Sequence, residues 1–154
     1  MKAFDRFESR TWIRATLVMD TALAVGARPS FEPVGTDAPV IRDGVGAPFI
    51  PGSSIKGVVR SEIERWLRAL PTGAGIRACD PLARPCVDPD TKSGLLDQAG
   101  RDDHRFAELL WEASCTVCRI FGSPWLASRI LFRDAPLRNG DALPTVTQIR
   151  DGVG

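Results

Sequence analysis

Four cysteines within one core-poor stretch, residues 76–118, limit the folds that are open to this sequence. Cys115 and Cys118 are separated by two residues, and Cys79 and Cys86 by six. Four thiolates can close a tetrahedral zinc site, which would stabilise a segment with few apolar residues of its own. The spacing therefore predicts structural zinc bound by all four cysteines, within an insertion over about residues 71–128.

Three alternatives for these thiols remain open. His104, the only histidine, could replace Cys79 or Cys86 in a Cys₃His site. The cysteines could also be buried without a ligand, or the CxxC pair could be redox-active, although the βαβ pattern expected around a redox CxxC is absent from the sequence.

The cellular compartment bears on this choice. No run approaches the ~20 apolar residues that a membrane span needs, and the N-terminus lacks the apolar stretch of a signal peptide. We therefore expect a cytoplasmic protein without a membrane partner, where metal binding by cysteines is more common than disulfides.

Two kinds of periodicity predict the secondary structure. Apolar and polar residues alternate over residues 11–25 and again over 128–137, which indicates strands. Residues 106–113 have helical spacing, and a longer helix with Trp66 in its core-facing stripe is predicted from Ile55, Val59, Ile63, Trp66, Leu67 and Leu70. With a long loop over 26–52 and an irregular stretch over 76–104, the chain of 154 residues predicts a single α+β domain.

The start of the longer helix, PGSSIKG at residues 51–57, predicts an anion site. Ser53 or Ser54 can act as the N-cap, and the unpaired N–H groups and the dipole of a helix N-terminus attract negative charge. Gly52 and Gly57 permit close approach, and Lys56 and Arg60 share one helical face. A capped amphipathic helix with solvated basic residues explains the stretch equally well.

Three segments occur in order: GTDAPVIRDGVGAPFIPGSSIKG, FIPGSSIKGVVRSEIERWL and CTVCRIFGSPWLASRILFRDAPL. Together they resemble the repeated backbone subunit of type III CRISPR effector complexes, the Csm/Cmr group of the RAMP superfamily, and the resemblance covers roughly residues 10–150. It implies a ferredoxin-like, RRM-related core with a zinc-bearing insertion. It also implies that copies of the chain and other effector subunits assemble along a guide CRISPR RNA, and that TVTQIRDGVG begins a hairpin that the sequence cuts short.

The resemblance also assigns roles to individual residues. It implies that Asp37 cleaves target RNA paired to the guide, with Mg²⁺ or another divalent cation. It further implies guide-RNA contacts by the residues of the helix start, Gly52, Ser53, Ser54, Lys56, Gly57 and Arg60. Taken without the resemblance, Asp37 is a common turn residue, and Asp43 is a weaker catalytic candidate because an Asp-Gly pair is a strong turn signal.

The leading hypothesis is therefore a guide-RNA-binding subunit that acts as a metal-dependent endoribonuclease. One alternative is an RNA-binding structural subunit of the same complex that does not cleave. The other is a zinc-stabilised protein-interaction domain. The net charge of +1 requires a local basic track for any RNA partner, because the surface as a whole is not strongly basic.

Overall fold

The computed structural model describes residues 8–21, 23, 25–26, 40–71 and 75–138. The described residues fall into two compact units. The first contains 8–13, 55–71 and 75–132, and the second contains the rest. Asp37 and the residues of the predicted C-terminal hairpin lie outside the described part of the chain.

Four helices and one small sheet make up the regular structure of the described residues. The elements are α1 (Gly52–Ala69), α2 (Pro89–Ala99), α3 (Asp103–Ala113), α4 (Thr116–Phe121), β1 (Phe49–Ile50) and β2 (Ala135–Pro136). This mixture agrees with the predicted α+β class, whereas the ferredoxin-like core stays a prediction. None of these helices is long and apolar enough to cross a membrane.

The second unit contains the sheet. Strand β1 pairs antiparallel with β2, and Phe49 lies opposite Pro136. Just before β1 the chain makes a turn in which the Asp43 carboxylate accepts the backbone N–H of Val45 at 3.0 Å and of Ala47 at 2.8 Å. The Asp-Gly signal for a turn at Asp43 is confirmed, and residues 40–50 of the predicted long loop are ordered by bridges and strand pairing.

The first unit contains the buried apolar side chains. One cluster consists of Cys115, Val117, Cys118 and Phe121, and the side chains of α1 that pack on it are Val59, Ile63 and Leu67. Phe132 also packs on this cluster, with its ring stacked on Phe121 at a centroid distance of 6.4 Å. A second cluster, built on Val87, Leu110 and Leu126, includes Phe106 of α3, the helix predicted from its spacing.

Both predicted strands are wrong in extent. Residues 8–21 form no strand and are exposed along their whole length, although their apolar side chains alternate. A strand needs N–H and C=O groups of a neighbouring strand as well as alternation, and no β-bridge is formed at residues 8–21. In the second stretch only Ala135–Pro136 is a strand, although Ile130 and Phe132 do turn towards the core while Leu131 is exposed.

Two helical predictions also need correction. The stretch predicted as irregular contains α2, which begins at Pro89 and is capped by the Asp88 carboxylate accepting the N–H of Thr91. Proline at the first helical position behind an aspartate N-cap is a recognisable start signal. Trp66, predicted as core, is 63% exposed, because the buried stripe of α1 runs through Val59, Ile63 and Leu67 and leaves Trp66 beside it.

Candidate metal centre and nucleic-acid interface

A tight loop brings the first two cysteines together. The Asp80 carboxylate accepts the N–H groups of Leu82 at 2.9 Å and Ala83 at 3.0 Å, and the Arg84 N–H closes on the Asp80 carbonyl at 3.0 Å. The hydrogen bond from Ala83, followed by that from Leu82, lowers the pKa of Asp80 and keeps it ionised as an acceptor. The loop thereby folds Cys86 back towards Cys79.

The other two cysteines lie at the start of α4. Cys115 is the N-cap residue, and the Cys118 N–H points at its sulfur at 3.4 Å. Two hydrogen bonds join this helix start to the segment before Cys79. The Thr116 N–H donates to the Arg77 carbonyl at 3.0 Å, and the Arg77 N–H donates to the Thr116 hydroxyl at 3.1 Å.

These two pieces bring all four thiols to one point. The sulfur atoms of Cys79, Cys86, Cys115 and Cys118 lie within 4.8 Å of one another. The Cys79 and Cys118 sulfurs are 3.7 Å apart, and no disulfide joins any of the four. Zinc bound tetrahedrally at about 2.3 Å from each sulfur places its ligands about 3.8 Å from one another. The cluster therefore has the donor atoms and nearly the dimensions of a four-thiolate metal site, and these cysteines could hold a metal ion.

The thiols strongly affect one another's ionisation. The hydrogen bond from Cys118 lowers the pKa of the Cys115 thiol to about 4, against the opposing effect of burial. The same pairing, followed by burial, raises the pKa of Cys118, and burial raises the pKa of Cys79 to about 11. One thiolate forms readily and then makes the others harder to ionise, because negative charges accumulate in a partly buried space. A divalent cation removes that obstacle by supplying positive charge.

His104 is not part of this cluster. It lies on α3, its side chain is 53% exposed, and its Nδ1 is 4.0 Å from a carboxylate oxygen of Glu108. Among the described residues the group that could hold a metal contains the four cysteines alone. The Cys₃His alternative is therefore not the arrangement that this structure has.

The start of α1 holds an anion that belongs to the protein itself. The Gly52 N–H donates to the Asp134 carboxylate at 2.7 Å, and both residues lie in the second unit. Helix α1 begins at Gly52, so neither Ser53 nor Ser54 is the N-cap. Within the described residues, Asp43 and Asp134 line one cavity of about 260 Å³ in this unit, whose acidic wall is unsuited to a phosphate.

Lys56 and Arg60, the two basic residues of the predicted anion site, differ in their hydrogen bonds and in the exposure of those contacts. The Lys56 ammonium donates to the Ser128 hydroxyl at 2.9 Å, an exposed contact that leaves donors for another partner. Arg60 is half-buried, and its guanidinium contacts Glu64, the Gly122 carbonyl and the Cys118 sulfur. Gly57 is exposed on α1, with no atom outside the helix backbone within 4 Å of the position that a Cβ would take.

Two residues of this region, Asp134 and Ser128, were not predicted from the sequence. Both lie in the segment SRILFRD, which was predicted as a strand and forms part of the third resembling segment, without a role for either residue. An aspartate that caps a helix 82 residues earlier in the chain gives no local signal. The identity of the acceptor therefore depends on the tertiary structure.

Comparison with known proteins identifies the family. A family model described as "RAMPs: RAMP superfamily" matches residues 6–153. The chain is 29% identical over 147 residues to a Mycobacterium tuberculosis protein named CRISPR system Cms endoribonuclease Csm3, covering 90% of this chain and 49% of that protein. Proteins of the same name from Methanothermobacter thermautotrophicus and Methanocaldococcus jannaschii are 32% and 26% identical, over 77% and 82% of this chain.

The chain spans half or less of the length of these relatives, with 35% and 42% of the two archaeal proteins covered. The family match, in contrast, runs through nearly the whole sequence, from before the described residues to beyond them. It includes the helix start, the four cysteines and Asp37. The chain therefore belongs to the RAMP superfamily.

Proposed function

We propose that this chain acts in a type III CRISPR effector complex as a guide-RNA-binding backbone subunit that cleaves complementary target RNA. The observation that carries the proposal is the family match over residues 6–153, together with three relatives named as CRISPR endoribonucleases. The guide RNA, the target RNA, other effector subunits and further copies of the chain are the proposed partners. We infer a ferredoxin-like core for the assembled subunit.

Asp37 is the proposed catalytic residue. RNA carries its own nucleophile in the 2′-hydroxyl, so a cleaving protein has chiefly to position the strand and stabilise developing charge. A single carboxylate can contribute to binding a hard cation such as Mg²⁺, with water and RNA phosphate oxygens as the other ligands. Bound there, the cation would supply Lewis-acid stabilisation of the phosphate.

The test replaces this carboxylate in an assembled complex. Asp37→Ala is expected to abolish cleavage of a labelled complementary RNA while guide and target binding persist. Asp43→Asn is the matched control, because its amide oxygen can still accept the N–H groups of Val45 and Ala47, and it is expected to cleave normally. Continued cleavage by the Asp37→Ala complex would reject the catalytic role and favour the structural subunit that does not cleave.

The first two turns of α1 are the proposed contact with guide-RNA phosphates. Lys56 offers a partly solvated ammonium, and Ser53 and Ser54 add hydroxyl donors near the helix N-terminus. The Gly52 amide already donates to the Asp134 carboxylate, and Arg60 already donates to Glu64 and to the Gly122 carbonyl. The proposal therefore depends chiefly on Lys56, the serines and close approach at Gly57.

Two variants test this contact. Lys56→Ala is expected to weaken guide binding and to reduce the slope of log affinity against log salt by about one, the signature of a single lost phosphate contact. Arg65→Ala removes the same charge from an exposed position of α1, where Arg65 pairs with Glu62, and it is expected to leave the slope unchanged. Equal slopes for the two variants would contradict a phosphate contact at Lys56.

Gly57→Ala separates stability from RNA binding. Among the described residues, a Cβ at Gly57 meets no atom within 4 Å outside the neighbouring helix backbone, so alanine is expected to stabilise the helix by about 1 kcal/mol. If RNA approaches the backbone there, the same methyl group weakens guide binding. Gly94→Ala in α2, where a Cβ also meets nothing, is the control, and it is expected to stabilise the protein without affecting RNA. A gain in stability with unchanged guide affinity for Gly57→Ala would remove Gly57 from the interface.

Zinc is the metal that we propose for the four cysteines, in a structural role. Four thiolates in a tetrahedral arrangement leave no open coordination position for chemistry. Elemental analysis of the purified chain is expected to give about one equivalent of zinc, and less than about half an equivalent would count against the site. A chain that binds zinc, remains monomeric and carries no RNA when supplied with guide would instead support the protein-interaction domain.

A further inference from the structure

Arg60 is the residue through which helix α1 reaches the four-cysteine cluster. Its Nη2 lies 3.7 Å from the Cys118 sulfur, and its Nη1 donates to the Gly122 carbonyl at 3.0 Å. Its Nε donates to the Glu64 carboxylate at 2.8 Å. Three nitrogens of one guanidinium thus contact three different parts of the first unit.

The chemistry of the donor determines which atom accepts. Arginine is always charged and only donates, so the Cys118 sulfur is the acceptor of this contact. A neutral thiol is a weak acceptor, whereas a thiolate accepts strongly from a cationic donor. The Arg60 guanidinium is therefore placed to stabilise Cys118 as a metal-bound thiolate.

The charge balance of the cluster leads to the same conclusion. Zinc with four thiolates carries two net negative charges, and Cys118 is only 3% exposed. A nearby guanidinium offsets part of that charge in a partly buried space. Glu64, which is 5% exposed, holds the guanidinium in place from its own helix, with Arg68 at 3.9 Å on its other oxygen.

We propose that Arg60 is a positioning residue of the metal centre, which donates to the Cys118 thiolate and joins α1 to the end of α4. The inference rests on the proposed metal role of the cysteines and assigns to Arg60 a task other than RNA binding. Residues that hydrogen-bond to metal ligands fix their orientation and tune the metal, and their loss typically weakens metal binding by about 10–100-fold.

The experiment uses Co²⁺ as a spectroscopic substitute for zinc in the whole chain. Arg60→Met keeps an apolar stem but removes the charge and every donor. It is expected to weaken Co²⁺ binding by about 10–100-fold, and zinc binding likewise in competition with a chromophoric chelator. Arg65→Met, which removes the same charge from an exposed position of the same helix, is expected to bind both metals as the unaltered chain does.

The absorption spectrum separates a contact with sulfur from a general loss of structure. Loss of an N–H···S bond raises the energy of the sulfur electrons, so the thiolate-to-cobalt charge-transfer band of Arg60→Met is expected at longer wavelength. The ligand-field bands are expected to stay those of a tetrahedral four-thiolate site. Arg65→Met is expected to shift neither set of bands.

Arg60→Lys provides a second variant that keeps the positive charge. One ammonium group cannot serve Cys118, Gly122 and Glu64 together, so an intermediate loss of affinity and an intermediate band shift are expected. Unchanged affinity and an unchanged charge-transfer band in both Arg60 variants, with the unaltered chain binding metal, would overturn the role of Arg60 alone. Failure of the unaltered chain to bind Co²⁺ or zinc would overturn the metal centre itself, and the inference with it.

Discussion

Among the described residues, the interactions that stabilise the first unit differ from those that stabilise the second. Every buried apolar side chain belongs to the first unit, and these side chains are Val87, Leu110, Cys115, Val117, Cys118, Phe121 and Leu126. The second unit relies on a two-residue strand pair, a turn at Asp43 and the contact between Gly52 and Asp134. Its described part has no apolar core of its own.

This difference separates local from long-range determinants of structure. In the first unit the outermost cysteines are 39 positions apart, and the loop at Asp80 and the N-cap at Cys115 arise from neighbours in the chain. In the second unit, Gly52 is joined to Asp134 across 82 positions. We therefore expect substitutions of buried residues in the first unit to lower stability more than substitutions in the second unit do.

Cys118→Ser is expected to have the largest effect. It removes one ligand of the proposed zinc site and the sulfur that both Cys79 and Arg60 contact. Zinc contributes about 10–16 kcal/mol in zinc-finger peptides, and most of that stabilisation disappears with an incomplete ligand set. The variant is expected to lose metal and the cooperative thermal transition of the first unit, measured by elemental analysis and circular dichroism.

His104→Ala is the control for this variant, because His104 lies outside the cluster. It is expected to keep about one metal equivalent and the original transition. A Cys118→Ser variant that lost the metal but kept the transition would show that the apolar cluster, not the metal, holds the first unit together.

Gly122→Ala is expected to lower the free energy of unfolding by about 3 kcal/mol. Gly122 has φ +88°, and a Cβ there would meet the backbone N of Ser128 at 3.0 Å and the backbone O of Leu126 at 3.1 Å. Backbone atoms cannot move aside as a side chain can, so the loop after α4 would have to open. Chemical denaturation measures the loss, with Gly94→Ala as the unstrained glycine control. Equal stability of the two variants would mean that this loop adapts easily.

The sequence predicted the parts of the first unit that depend on local chemistry. The residue type and spacing of the four cysteines predict a metal site, and the structure brings their sulfurs together. The spacing of apolar residues predicted α1 and α3. Helix α2 was missed although Asp88-Pro89 signals a helix start, because its apolar periodicity is weak and none of its residues is buried.

The wrong predictions concern structural properties that the spacing of apolar residues does not encode. Apolar spacing shows which face of a helix is buried but not how wide the buried stripe is. Trp66 was therefore assigned to the core, although it lies beside the stripe. Alternation of apolar and polar residues over 11–25 indicates strand-forming side chains, but it does not show whether a neighbouring strand is available for hydrogen bonding. The acceptor at the start of α1 was expected to be Ser53 or Ser54, whereas Asp134 fills that role from a distant part of the chain. Asp37 stays a prediction.

Asp134→Ala tests the long-range cap and is expected to lower the free energy of unfolding by about 1 kcal/mol, the typical cost of losing a helix cap. Hydrogen exchange is expected to speed up at the Gly52 amide and in β1 and β2. Asp102→Ala removes a local cap, which accepts from His104 and Arg105, and its effect is expected to stay within α3. If Asp134→Ala left exchange at Gly52 unchanged, the proposed dependence of the second unit on this contact would be wrong.

Trp66→Ala is expected to have the smallest effect, a change of no more than about 0.5 kcal/mol in the free energy of unfolding. Phe121→Ala is the buried comparison. At 4% exposure, against 63% for Trp66, it is expected to cost about 3–5 kcal/mol. Both variants remove a large aromatic ring from the first unit, so denaturation curves measured side by side isolate the effect of burial. A loss of about 2 kcal/mol or more for Trp66→Ala would mean that the outer face of α1 is packed in solution. The apolar cluster around Phe121 would then not explain why substitutions in the first unit have larger effects on stability.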